Sequence, residues 1–230
     1  MPVDRSQVVV FTGPSLHPRD AAALLDATFL PPIKRGDLDP LLVSKPAAIG
    51  IIDGEFYQSL AVAPKEVLAQ LEIGVAVYGA ASMGALRAVE LHRYGMIGVG
   101  SVFRLFRRGV LDADDELALT YSKETWRPLS EPLVDTRYAL RAAVRKGILT
   151  RDEAARIIAT LRPYYFPERT RRLVLQLARD VVGRDRVQVL GEFLAAEAPH
   201  IKERDARLLL QRIGRDFGIP RGNSGPAPGV

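Results

Sequence analysis

Ser82 stands in Ala80-Ala81-Ser82-Met83-Gly84, behind the apolar run Val75–Tyr78 and ahead of a helical pattern over Met83–Tyr94. A strand, a tight turn with small residues two before and two after a serine, and then a helix make a variant of the G-x-S-x-G nucleophile elbow, with Ala80 in place of the first glycine. Such a bend raises the hydroxyl, and the helix that follows points its first N–H groups, Met83 foremost, at an oxyanion. The same residues also spell a serine that caps a helix in a tight βα turn. Both readings are open at this level.

A serine nucleophile needs a base, and the chain offers few. Cys is absent, which removes disulfides, thiolate metal sites, iron–sulfur clusters and a cysteine nucleophile. His17, His92 and His200 are the only histidines, and no two have metal-ligand spacing. His92 lies ten residues along the helix from Ser82, about 15 Å of rise. His17, just before Pro18, reads as loop. Lys65 follows Pro64 in the first turn of the helix Pro64–Ile73, where the helix dipole and partial burial would lower its pKa toward useful basicity. An exposed helix-start lysine beside Glu66 is the competing reading. A Ser–Lys pair is the nucleophile–base arrangement that this composition most readily allows. Asp53, at the end of a strand, is placed as a functional carboxylate or as the start of an Asx turn. Asp112, Asp114, Asp115 and Glu116 lack an EF-hand pattern and read as a solvated helix cap. Gly95-Met96-Ile97-Gly98-Val99-Gly100 follows a helix rather than a strand, so it lacks the context of a dinucleotide loop.

These side chains need a scaffold that gathers them. Gln7–Phe11, Ala47–Ile52 and Val75–Tyr78 are β-branched-rich and apolar on successive residues, the pattern of strands covered on both faces. Helices at Pro64–Ile73 and Met83–Tyr94, the latter closed by Gly95, complete a βαβα unit and predict a parallel sheet. In such a sheet the loops at the carboxyl ends of the strands share one edge. That edge gathers Gly13-Pro14-Ser15, Asp53–Lys65 and Ala80–Gly84. Further helices are predicted at Val102–Arg108, Glu116–Ser122, Pro132–Lys146 after Ser130, Thr150–Leu161 with a Thr150/Glu153 capping box, Arg169–Val182, Arg186–Glu197 and Lys202–Phe217. The expected fold class is α/β: a parallel-sheet, Rossmann-like core over residues 1–125, a C-terminal helical module over 126–217 and a disordered tail over 218–230.

Over 230 residues, 47% hydrophobic and 26% charged residues match a globular protein and exclude wholesale disorder. No apolar run approaches the roughly 20 residues that span a bilayer, and no secretory cleavage pattern follows Met1, so a cytoplasmic protein without a membrane partner is expected. The net charge of +5 sits in residues 151–230, with 15 Lys/Arg against 10 Asp/Glu. No dense basic patch with aromatic platforms accompanies it, which argues against a nucleic-acid partner. Only six basic residues are Lys, at 34, 45, 65, 123, 146 and 202.

Seven motifs follow one another in order: Gly13-Pro14-Ser15-Leu16; Pro31-Pro32 with Gly36-Asp37; Ile51-Ile52-Asp53-Gly54 then Phe56; Lys65-Glu66-Val67-Leu68; Gly79-Ala80-Ala81-Ser82-Met83-Gly84-Ala85-Leu86-Arg87-Ala88; Gly95 to Gly100; and Asp114-Asp115-Glu116. With them, residues 8–140 closely resemble the TfuA-like family, and Arg137 extends the likeness into the helix after Pro132. The resemblance implies a part in peptide-backbone thioamidation beside a YcaO-type enzyme. It implies hydrolysis of the C-terminal thiocarboxylate of a ThiS-like sulfur carrier, with release of sulfide and, indirectly, service to a precursor peptide. A Ser–Lys site carried onto this chain puts the nucleophile on Ser82 and the base on Lys65, with Lys34 as the rival. Gly13, Pro14, Ser15, Asp53, Met83, Gly84 and Arg87 are the oxyanion- and substrate-binding candidates, and the loops Pro31–Asp37 and Asp53–Ser59 would line the groove for the carrier's tail. No cofactor and no metal are expected. Two other readings are a non-catalytic adaptor that docks enzyme, carrier and peptide, and a nucleotide- or phosphate-binding domain using the Gly13 and Ser82 turns, neither of which has a Walker pattern.

Overall fold

The computed structural model describes residues 8–56 and 60–219. The chain divides into two units, one of residues 1–112 and 202–230 and one of residues 113–201. Among the described residues no helix is long and apolar enough to cross a membrane.

The first unit is α/β. Its elements run β1 (Val8–Phe11), α1 (Pro18–Ala22), β2 (Thr28–Leu30), α2 (Asp39–Ser44), β3 (Ala48–Ile51), α3 (Pro64–Glu72), β4 (Ala76–Gly79), α4 (Met83–Leu91), β5 (Ile97–Gly98) and α5 (Gly100–Arg107). The five strands form one all-parallel sheet in the order β2-β1-β3-β4-β5. The parallel α/β core expected from the sequence is therefore present. The chain steps from β1 outward to β2, then crosses to the other side through β3. The β1/β3 boundary is thus the topological switch point, where the crevice of a doubly wound sheet opens.

Both faces of the sheet are covered, as the unbroken apolar strands require. Val8 and Val10 of β1 and Ala48 of β3 pack with Ala21 of α1 on one face. That face is completed by Ala206, Leu209, Leu210 and Ile213 of a helix far along the sequence, α10 (Ile201–Phe217), whose buried positions recur every three or four residues. Gly50 of β3 leaves room for it: a Cβ there would lie 3.1 Å from both Leu209 and Ile213. The Tyr78 hydroxyl of β4 donates to Asp216 at 2.8 Å and ties the helix to the sheet.

The second unit is helical. It comprises α6 (Leu133–Arg145), α7 (Arg151–Leu161), α8 (Arg171–Val182) and α9 (Arg184–Ala196), packed around Leu140, Leu149, Ile157, Leu161, Val174 and Leu190. The Thr150/Glu153 capping box forms as expected, with Thr150 N–H donating to Glu153 at 2.8 Å and Glu153 N–H donating to the Thr150 hydroxyl at 3.2 Å.

The structure differs from expectation at several points. The core expected to run through residue 125 ends at 112, and Lys202–Phe217, assigned to the helical module, returns to the sheet. Edge strands β2 and β5 and helices α1 and α2 are additional; each is too short to carry a period. The helix expected at Glu116–Ser122 is not formed. Ser122 N–H donates to the Arg127 carbonyl and Leu129 N–H to that of Thr120, while the Ser130 hydroxyl, expected to start a helix, accepts from Thr120 N–H at 2.9 Å. The backbone there pairs across a turn instead of coiling. The acidic stretch is a solvated cap only in part, with Asp112 and Asp114 exposed. Glu116 is buried and takes a bidentate pair from Arg137 at 2.8 and 2.9 Å, and Asp115 pairs with the buried Arg169. Of the tail expected to be disordered, residues 220–230 lie outside the described residues, as does Gln7.

Candidate functional site

The carboxyl ends of β1, β3 and β4 bring three loops together. Ile52 N–H donates to the Phe11 carbonyl at 2.9 Å, which holds the loop after β3 against that after β1. On the other side, the N–H groups of Ser82 and Gly84 both donate to the Ile52 carbonyl, at 3.2 and 3.4 Å. Asp53 is therefore flanked by Ser15 and by the bend that carries Ser82.

That bend is sharp. Ser82 N–H also donates to the Ala80 carbonyl at 2.7 Å, and Ala81 between them has φ +63°. A γ-turn with a positive central φ is rare and strained for a residue with a Cβ. Small residues are needed around it. A Cβ on Gly84 would lie 1.8 Å from the Ile51 carbonyl oxygen, and one on Gly79 would lie 2.1 Å from that of Gly84. The glycine that permits the turn is thus Gly79, one residue before the position the elbow pattern assigns. The Ser82 hydroxyl makes no capping bond to α4, which departs from the helix-cap reading. Ser82 is only 1% exposed. Met83 N–H, at the start of α4, has no backbone acceptor among the described residues.

Ser15 is bound to Asp53 twice. Its hydroxyl donates to Oδ1 at 2.5 Å and its N–H to Oδ2 at 2.9 Å, and Gly13 N–H also faces this carboxylate. These donors, candidates for an oxyanion, are turned to Asp53. Burial pushes the Asp53 carboxyl up from the usual carboxylate range; the charge of Lys202 and the bonds from Ser15 and Gly13 act the other way. Lys202, at the start of α10, is 2% exposed. It is the site residue that sequence reasoning missed. The available signal was a rare lysine at the head of the apolar stripe Lys202, Ala206, Leu209, Ile213.

The lysines proposed as base stand differently. Lys65, in the first turn of α3, and Lys34 are exposed. No hydrogen bond joins either to Ser82 among the described residues. The neighbouring Glu66 holds the loops, accepting from Ala63 N–H at 2.8 Å and Gly36 N–H at 2.7 Å. Arg87 is also engaged: it donates to the Val62 carbonyl at 2.9 Å and pairs with Glu90, fastening the α3 approach to α4. Part of the expected groove lining, residues 57–59, lies outside the described residues.

The Gly95–Gly100 run has a structural use. The run follows helical chain, as the sequence indicated, with β5 lying inside it, and the N-terminus of α5 is filled by the protein's own Asp205, whose carboxylate accepts from Val102 N–H at 2.7 Å. Gly100, at φ +94°, has no space for a Cβ, which would come 2.3 Å from Asp205. Among the described residues no three His, Asp or Glu side chains gather to hold a metal ion.

A parallel sheet in this order, with a strained serine bend beside its switch point, defines an α/β protein whose candidate site lies at the carboxyl edge of the strands. Residues 53–170, just over half of the chain, match the family described as TfuA-like protein. The chain belongs to the TfuA-like family. No curated protein matches it.

Proposed function

We propose that this protein is an accessory hydrolase of peptide thioamidation, releasing sulfide from the thiocarboxylate of a ThiS-like carrier for a YcaO-type enzyme. The observation that carries the reading is the uncapped Ser82 hydroxyl on a strained bend at the carboxyl edge of the sheet, in a chain of this family. Ser82 Oγ attacks the thiocarboxylate carbon and the C–S bond breaks. Sulfur leaves as hydrosulfide, taking up the proton that the serine gives to the base. Water then cleaves the acyl-serine: its oxygen goes to the carbonyl carbon, one of its protons reaches Ser82 Oγ through the base, and the other passes to solvent as the product ionises to a carboxylate. Met83 N–H faces the oxyanion formed in each step. Lys65 is the base; its side chain is exposed in the free protein and closes on Ser82 once the carrier's tail covers the edge, since catalytic hydrogen bonds often tighten only in the complex.

Sulfide release from a thiocarboxylated carrier by the isolated protein tests this. Ser82→Ala is expected to lower the rate at least about 1,000-fold, and Lys65→Met about 100-fold or more, with circular dichroism unchanged. Wild-type rates in Ser82→Ala would overturn the reading. The exposure of Lys65 favours a second reading, an adaptor that recruits carrier and peptide to the YcaO-type enzyme without chemistry of its own. It predicts no sulfide from the isolated protein and saturable binding of the carrier.

A further inference from the structure

Three side chains at the switch point have no part in the chemistry above. Ser15 follows β1, Asp53 follows β3, and Lys202 opens α10, nearly 150 residues further on and outside the family-matched segment. All three are buried. Two of the three bonds from the Ser15 loop to Asp53 come from backbone N–H groups and one from a hydroxyl, all pointing at a single carboxylate. An acceptor of three donors holds them best as an anion. Deep burial works against that anion, and a cation placed beside it works for it. The apolar stripe of α10 sets Lys202 at this depth, because Ala206, one turn further on, packs in the same cluster as Ala80 and Ala81 of the bend.

We infer that Ser15, Asp53 and Lys202 form a positioning triad that fixes the Gly13–Ser15 loop and the Asp53 segment against the Ser82 bend, making α10 a working part of the site. Lys202 acts through Asp53, whose carboxyl group clamps the loop. Asp53 in turn anchors the Ile52 carbonyl that receives Ser82 and Gly84. The triad touches no substrate. In its catalytic consequence the inference rests on the hydrolase reading; in its structural consequence it stands apart from it.

The whole 230-residue chain carrying Asp53→Asn together with Lys202→Met tests it, because the double change leaves neither residue as a charge facing a neutral partner. The readouts are melting, amide hydrogen exchange at residues 12–16 and 80–84, and kcat and KM for sulfide release. The double variant is expected to melt close to the wild type. Exchange in both segments should quicken about tenfold, and kcat should fall at least about tenfold with KM within twofold. A well-folded double variant with wild-type exchange overturns the inference, and so does one with quickened exchange but wild-type kcat. If the wild type releases no sulfide, the hydrolase reading fails on its own, and the exchange result still decides whether the triad holds the two segments.

Discussion

A methyl group on Gly84 would collide with the Ile51 carbonyl oxygen, and backbone at the end of a central strand has little freedom to retreat. Gly84→Ala is expected to destabilise the protein by at least about 3 kcal/mol, read as a lower urea midpoint. Lys202→Met alone should also be costly. It removes the charge that works against the burial of the Asp53 carboxyl, and a loss of at least about 1 kcal/mol is expected, read as a lower melting temperature. The charge-neutral double variant should recover most of that loss. Of the residues at this edge, Ser15, Asp53 and Ser82 were legible because each ends an apolar run or follows its turn. Lys202 was not, since nothing local to α10 says which loop its head will meet.

At the scale of elements, one of the titratable bonds that hold α10 can be followed directly. Burial first, and then the Asp216 carboxylate, push the Tyr78 phenol up to about 12. Tyr78 therefore gives stability that is complete below its ordinary value near 10, and that is lost as pH rises through 12. Tyr78→Phe should cost about 1–2 kcal/mol at neutral pH and flatten this alkaline limb, with tyrosinate absorbance at 295 nm as the measurement. In the helical unit the sign is opposite. Hydrogen bonds from Arg186, with those from Thr150, hold Glu153 at about 2. Its contribution is present above the ordinary glutamate range and lost as pH falls toward 2. Arg186→Ala should shrink the acid dependence of the far-UV signal between pH 4.5 and 2. The long periodic helices and the Thr150/Glu153 cap could be read from the sequence because their signals are local. β2 and β5, three and two residues long, could not, since strand pairing alone defines them.

For the whole molecule, the helical unit of residues 113–201 is inserted between α5 and α10, the last helix of the α/β unit. Sequence order suggested a core followed by an appendage, because periodicity shows where helices lie but not which surface they return to. A chain ending at Pro199 would leave Val8, Val10, Ala48 and Gly50 without the cover that α10 gives them, and it should bind ANS and lose the cooperative melting of the sheet. The family match begins at Asp53, so it takes in the Ser82 bend but neither Ser15 nor Lys202. The proposal as a whole is tested most directly by acid-quenching the full-length protein during turnover of a thiocarboxylated carrier and mapping the peptides by mass. The expected result is the carrier's acyl group on Ser82, absent from Ser82→Ala together with sulfide release. Undiminished sulfide release by Ser82→Ala, with no acyl group on the wild-type serine, would contradict it.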